Sequence, residues 1–381
     1  MRILHAHDFV APGNSRFGLD MDRLLVERGH EVHVLAAVGP QGPADGAVVD
    51  GVAFHTFPRR EGSMLSRLAG ARVDYRRLDA LPRFDVLVLN QPVCGDAVLR
   101  SPAAAGVPRV YWFISPWAAE WRAENPGAGR LKAWIHAGLR NRMEDRVLAA
   151  CDAVLVESEF IRGRLFEHHP AVPPARVTLA TGAVDLRRFR PDGTRAQARA
   201  RFGFGEGPLV LTVRRHVERM GIDLLLRAAA TRPELQVVVG GDGPRRAELE
   251  ALAASLGVKA RFLGYVDEAD LPALYRAADL FVLPTRELEG FGLVAVEAMA
   301  CGTPALGTPV GAIPEVLGPL GLVVEAPTAE ALAAGLKRFF EAPDPALGER
   351  CRAHVAERYD WARAIDTVER VLRESAGHGR G

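Results

Sequence analysis

The sequence predicts an α/β protein built from two doubly wound parallel-sheet domains of similar size. Three observations point there. The chain has 381 residues, which suits two domains of roughly 100–200 residues each. Short runs rich in Val, Leu and Ile alternate with longer segments of helical spacing, the pattern of parallel strands joined by crossover helices. Between the two sets of runs lies a stretch from Asp185 to Pro208 that is rich in Arg, Gly and Pro and has no strand pattern before Leu209.

In chain order, the first half has strand signals at Arg2–His7, Glu31–Ala37, Phe84–Asn90, Arg109–Phe113, Ala153–Glu157 and Val177–Ala180. The second half repeats them at Leu209–Val213, Gln236–Gly240, Ala260–Leu263, Leu280–Pro284, Thr303–Gly307 and Gly321–Val324. The boundary is expected near Val184–Gly193. After Glu341 two terminal helices are expected, Ala346–Arg358 and Trp361–Glu374, with a frayed tail from Ser375. Two such domains leave a cleft at the carboxyl ends of their strands, where open α/β sheets bind ligands.

Composition removes several alternatives. Lys plus Arg number 48 and Asp plus Glu 47, so a net charge of +1 gives no global reason to expect a nucleic-acid partner. Cys94, Cys151, Cys301 and Cys351 lie far apart without metal-ligand spacing, so neither zinc nor a disulfide framework is expected. The opening MRILHAHDFV reads as a buried strand rather than a secretory leader, and no apolar run is long enough to span a bilayer; a cytoplasmic protein is the expectation. There is no P-loop, and no Asp-x-Asp pair suited to bridging a metal and a diphosphate, so no metal or cofactor is expected.

The chemistry is concentrated between Phe281 and Val316. A strand runs into a polar loop with Glu287 and Glu289, Gly290-Phe291-Gly292 forms a tight turn, and Leu293–Ala300 continues as an apolar helix. Such a turn aims backbone N–H groups and the positive end of the helix dipole at an anion. Glu289 at its mouth and Glu297 eight positions on can both face one bound molecule, and a carboxylate grips a vicinal diol through two hydrogen bonds. Gly13, where the first strand meets its helix, and Gly241 in Gly240-Gly-Asp-Gly-Pro244 permit close approach of a ligand to the backbone.

Glu289-GFGLVAV-Glu297 followed by AMACGTP resembles the Glu-x7-Glu signature of the retaining glycosyltransferases of family four, which share the GT-B fold. The resemblance extends over most of the chain: Pro12-Gly13 with Arg28-GHEVHVL, Gly182-AVDLRRFRP, Arg214-RHVERMGIDLLLRA, Val239-GGDGP, Ala278-DLFVLPT and the helix opened by Trp361. It implies a Rossmann-like acceptor-binding domain over 1–186, a Rossmann-like domain for a nucleotide-diphospho-sugar over 187–358, and a terminal helix over 359–381 that crosses back to the first domain. By this resemblance Glu297 binds the nucleotide ribose, Glu289 contacts the donor sugar, and backbone N–H groups around Phe291, Gly292 and Leu293 meet the diphosphate or sugar. The implied reaction moves a hexosyl group to an acceptor hydroxyl with retention and without a metal. The acceptor is a sugar, a small molecule or a lipid-linked compound.

Two departures stand out. The family clamps the diphosphate with an R-x4-K-G pattern; Arg215 falls at the Arg position, but the Lys position is Met220, and Arg219 is the expected substitute in a chain with only three lysines. Where the family places a histidine after the strand Arg109–Phe113, this chain has Ile114, which cannot donate a hydrogen bond. Ser115, Trp117 or Glu120 are the candidates for shaping the acceptor pocket. Rival readings are a related phosphorylase or epimerase and a donor-binding protein without turnover. His5, His7 and His216 are read as structural. The segment Gly129–Ala150 is expected to place Leu131, Ile135, Leu139, Met143 and Val147 on one helical face, with Arg130, Lys132, Arg140 and Arg142 around it. Packing of that stripe on the sheet is preferred to lipid docking.

Overall fold

Strands that are apolar on both faces need cover on both sides, and helices supply it. In the computed structural model, which describes residues 1–10, 16–39, 42–60 and 62–378, the chain forms two compact units, Met1–Thr181 with Ala362–Gly381, and Gly182–Trp361. The first contains β1 (Arg2–Val10), β2 (Glu31–Val38), β3 (Val48–Val49), β4 (Val52–Pro58), β5 (Val86–Leu89), β6 (Arg109–Phe113), β7 (Ala153–Val156) and β8 (Val177–Leu179). Their order is β3-β4-β2-β1-β5-β6-β7-β8, with every pairing parallel except the β3–β4 hairpin. Leu4, Leu35, Leu87, Phe113 and Val154 lie in its core.

The second unit contains β9 (Leu209–Val213), β10 (Gln236–Gly240), β11 (Lys259–Gly264), β12 (Leu280–Leu283), β13 (Ala305–Gly307) and β14 (Leu322–Val323) in the order β11-β10-β9-β12-β13-β14, all parallel. Val210, Leu225, Val237, Val282 and Leu336 fill its core. In each sheet the winding reverses beside the first strand, between β1 and β5 and between β9 and β12. At such a switch point neighbouring loops diverge to opposite faces and open a crevice beyond the carboxyl ends of the strands.

Expectation and structure differ in four places. The hairpin β3–β4 was not anticipated. Its local cue is Asp50-Gly51 between two valines, and both residues adopt positive φ, 50° and 80°. The passage between units falls at Thr181 and Gly182 rather than at 186, and the return at Trp361 rather than at 358. The reason is contact: Phe291 occupies the space a Cβ on Gly182 would need, 2.3 Å away, and Val184 bridges to Asp360. The terminal helix, Trp361–His378, runs beyond Glu374 because Ser375 and Ala376 are buried. It belongs with the first unit, where Glu369 pairs with Arg28 at 2.7 Å and with His30 at 3.0 Å. The Arg28 hydrogen bond, seconded by Arg373 and His30, draws the Glu369 carboxyl down to about 2.

The fourth difference concerns the helix Arg130–Ala149. A stripe of residues four apart advances about 40° per step, so it winds round the helix instead of holding one face. Val147 is buried, Met143 half-buried, and Leu131, Ile135 and Leu139 are exposed. The inward face carries Ala137, Arg140, Glu144 and Val147 instead. No helix among the described residues is long and apolar enough to cross a membrane.

Candidate functional site

In the second unit the loops after β9 and β12 are joined by side chains. Arg214, one residue past β9, donates from Nη1 to Thr285 Oγ1 at 2.5 Å and from Nη2 to Glu289 Oε2. Thr285 Oγ1 donates to the same carboxylate oxygen at 2.9 Å. Both groups of the ion pair are largely buried, with side-chain exposures of 4% for Arg214 and 14% for Glu289. Two further bonds join the same loops: Arg219 Nη1 donates to Leu288 O at 2.9 Å, and the Arg286 N–H to Arg219 O at 2.8 Å. Leu288 sits at φ 57°, where a Cβ crowds the carbonyl, so the Arg219 bond holds a strained turn in place.

The turn that follows is as expected. Gly292 adopts φ 83° at the start of the helix Leu293–Ala300, and as a glycine in the N-cap position it contributes no side-chain cap. Phe291 turns its ring into the core against Tyr359, 5.4 Å between centroids, so only its backbone is placed to meet a ligand. Glu297 is buried one turn along, and the buried Tyr275 hydroxyl donates to its Oε2 at 2.6 Å. The structure therefore gives each of the two acids its own positioning partner, Arg214 for Glu289 and Tyr275 for Glu297.

The Gly241 loop backs onto the same place. Gly241 has φ 99°, and a Cβ there would lie 2.0 Å from Arg214 O; Gly311, at φ 63°, would meet Glu289 O at 2.2 Å. Backbone approaches this close admit only glycine and lock the loops after β9, β10 and β13 against the Arg214–Glu289 pair. Arg215 is exposed at the rim of this loop cluster. Met220, at the expected lysine position, is buried. His216 is also buried, neither ring nitrogen has a hydrogen-bond partner among the described residues, and burial holds its pKa below the ordinary value.

Sequence reasoning missed Arg214 and Tyr275. The signal for Arg214 was present as an Arg doublet just past a strand, of which only the second member was taken.

In the first unit, Ser115 Oγ donates to Glu120, and the Trp117 N–H donates to Glu144 Oε2 at 3.1 Å. The Arg140 guanidinium lies over the Trp117 ring at 4.8 Å. The three candidate acceptor residues are thus neighbours, held from beneath by the buried Glu144, which also accepts from Tyr111 at 3.0 Å and from His169 at 3.1 Å. Ile114 is exposed beside them. Gly13 lies outside the described residues.

Burial opposes charge on His169, but Glu144 and Asp145 outweigh it and raise its pKa above 6.5. The stability this contributes is complete below the unfolded value and is lost as pH rises through the folded one. The melting temperature of the parent chain is therefore expected to fall relative to that of His169→Gln as the pH rises from the unfolded value through the higher folded one. Parallel melting curves across that range would count against the ion pair.

One buried group of the first unit has the composition of a metal site. His5, His7 and Asp22 bring their donor atoms within 4.8 Å of one another. His5 Nδ1 is 2.9 Å from Asp22 Oδ1, and burial drives the histidine pKa down and the aspartate pKa up, which is the behaviour of a neutral hydrogen-bonded pair. All four cysteines are free and buried; burial pushes the Cys151 and Cys301 thiols up to about 12, far from thiolate reactivity.

Comparison with known proteins identifies the family and the fold. The family model described as Glycosyltransferase Family 4 matches residues 13–188, and that described as Glycosyl transferases group 1 matches residues 194–358. The D-inositol 3-phosphate glycosyltransferase of Saccharomonospora viridis is 36% identical over 259 residues, which is 62% of this chain and 59% of that relative. The chain thus spans less than two thirds of that relative's length. Among solved structures, sucrose-phosphate synthase from Thermosynechococcus elongatus matches with a TM-score of 0.84 at 23% identity over 98% of each chain. HepE from Anabaena, in complex with UDP-glucose, matches with a TM-score of 0.76 at 18% identity, over 98% of this chain and 100% of that one. The two family matches follow one another along nearly the whole chain and fall on two parallel sheets wound as this fold requires: the chain belongs to the family-four, group 1 glycosyltransferases and has the GT-B fold.

Proposed function

We propose that the chain transfers a hexosyl group from a nucleotide-diphospho-sugar to an acceptor hydroxyl, with retention of configuration and without a metal. The observation that carries this reading is the loop cluster at the β9–β12 switch point, where two oriented carboxylates flank a glycine-initiated helix N-terminus beside Arg215 and Arg219. Glu297, held by Tyr275, accepts hydrogen bonds from the ribose diol. Glu289 is engaged through Oε2 among the described residues, which leaves Oε1 toward the donor sugar. Backbone N–H groups at Phe291, Gly292 and Leu293, with Gly241 admitting close approach, receive the diphosphate, and Arg215 and Arg219 supply the counter-charge that grows as it departs.

In the reaction the bond from the anomeric carbon to the phosphate oxygen breaks, and the acceptor oxygen bonds the same face of that carbon. The acceptor proton passes to the departing phosphate oxygen, so no side-chain nucleophile is needed. Ser115, Trp117 and Glu120 orient the acceptor; Ile114 takes no part in proton transfer. The curated relative acts, by its name, on an inositol phosphate, and a phosphorylated polyol or sugar is the acceptor class to try first.

A ligand that binds only the folded chain raises its melting temperature. Among nucleoside diphosphates and their sugars at millimolar concentration, at least one matched pair is expected to do so, and donor consumption should require an acceptor. Silence across the whole panel would remove the donor site. Binding with no turnover on any acceptor would favour a donor-binding protein, the reading that Ile114 and Met220 support.

A further inference from the structure

The helix Arg130–Ala149 is inverted over its first turns. It buries Arg140 and Glu144 while leaving Leu131 (72% exposed), Trp134 (72%), Ile135 (45%) and Leu139 (47%) in water. These four stand at i, i+3, i+4 and i+8, which is one face of a helix. Isolated exposed apolar residues are ordinary, but a contiguous group on one face marks a contact surface.

Charge says what covers it. From Asn125 to Met143 the sequence has no acidic residue, while Arg130, Lys132 and Arg142 are exposed on the same helix as the apolar face. The nearest acids along this helix are engaged: Glu144 is buried under Trp117 and His169, and Asp145 lies 2.6 Å from His169. The preceding helix, Trp117–Glu124, adds exposed Arg122 and Glu124, one of each sign. A second copy of this chain is a poor match, because a two-fold contact would set this cationic surface against itself. An anionic bilayer suits it: leucine and isoleucine enter the acyl boundary, the Trp134 indole sits at headgroup level, and the cations meet lipid phosphates.

We propose that this face, with Leu131, Trp134, Ile135 and Leu139 as its apolar part and Arg130, Lys132 and Arg142 as its cations, docks the chain on membranes that carry anionic lipid. The docking helix is coupled to the acceptor segment, since His136 stacks on Trp121 at 4.4 Å and Arg140 lies over both Trp117 and Trp121. On the transferase reading, docking therefore presents Ser115, Trp117 and Glu120 to an acceptor carried by the membrane. The docking itself does not depend on that reading.

Liposome flotation of the full chain tests it. Vesicles of phosphatidylcholine with roughly a third phosphatidylglycerol should carry the protein, pure phosphatidylcholine should not, and raising the salt toward about 1 M should release it. Leu131→Ser/Trp134→Ser should abolish flotation, and Arg130→Gln/Lys132→Gln should lower partitioning about thirtyfold. Because these side chains are exposed, circular dichroism and melting should match the parent chain in both variants. No flotation with anionic vesicles, or flotation that both variants retain, overturns the proposal. So does a concentration-dependent dimer that Leu131→Ser/Trp134→Ser dissociates in the absence of lipid binding. Donor binding in the melting assay is independent of all these outcomes, so a failed docking face and a failed donor site can be told apart.

Discussion

Arg214→Ala is expected to lower the free energy of unfolding by about 3–5 kcal/mol, the range for removing one partner of a buried ion pair. The guanidinium answers Glu289 and Thr285 together, and the Gly241 and Gly311 loops pack too closely on this place to rearrange around an unpaired carboxylate. Neutralising the stranded acid should recover much of the loss, so Arg214→Ala/Glu289→Gln should be more stable than Arg214→Ala alone. Urea unfolding of the parent chain, both single variants and the double variant gives the coupling, expected between about 1 and 3 kcal/mol for groups in direct contact. A coupling near zero would mean that the pair does not organise the site. Turnover should fall with Arg214→Ala as well, since Glu289 then loses its fixed position.

Arg215→Ala and Arg219→Ala are each expected to cut kcat/KM about a hundredfold, the usual cost of deleting one preorganised charge where negative charge develops. The two differ in what else they change. Arg215 is exposed, so its truncation should leave stability within about 0.5 kcal/mol, and its kinetic loss can then be assigned to substrate. Arg219 also holds the carbonyl of Leu288 in a left-handed turn, so its loss should loosen the Glu289 loop and weaken donor binding along with turnover. Parent-like turnover by Arg219→Ala would show that Met220 stands where no cation is needed.

The parallel strands were legible because strands covered on both faces must be apolar throughout, and such runs stand out in the sequence. β9 and β10 carry the limits expected of them, as does the helix Leu293–Ala300. β4 was harder to see, since an outer strand alternates: Val52 and Phe54 are buried, and Ala53 and His55 are half-buried. At the candidate site, the local placement of Glu289, Gly292 and Glu297 was readable because they belong to a single strand–turn–helix unit of adjacent residues. Arg214 and Tyr275 were not, because Arg214 meets Glu289 across 75 residues and Tyr275 meets Glu297 across 22. The helix Arg130–Ala149 misled for a related reason: apolar residues four apart drift round the helix, and their spacing does not show which side the rest of the unit covers.

The sequence by itself determined what depends on neighbours along the chain: the alternation of strand and helix, the glycine turn, the two acids eight positions apart on either side of it, and the absence of lysine at position 220. These follow from backbone sterics and the 3.6-residue period, which act within a few residues of each other. Tertiary structure alone decided which cation holds Glu289, which hydroxyl holds Glu297, and that Leu131, Trp134 and Ile135 face water while Arg140 and Glu144 do not. Those outcomes depend on which strands lie side by side and on which face of each helix meets them, and pairing across tens of residues leaves no periodic mark in the sequence.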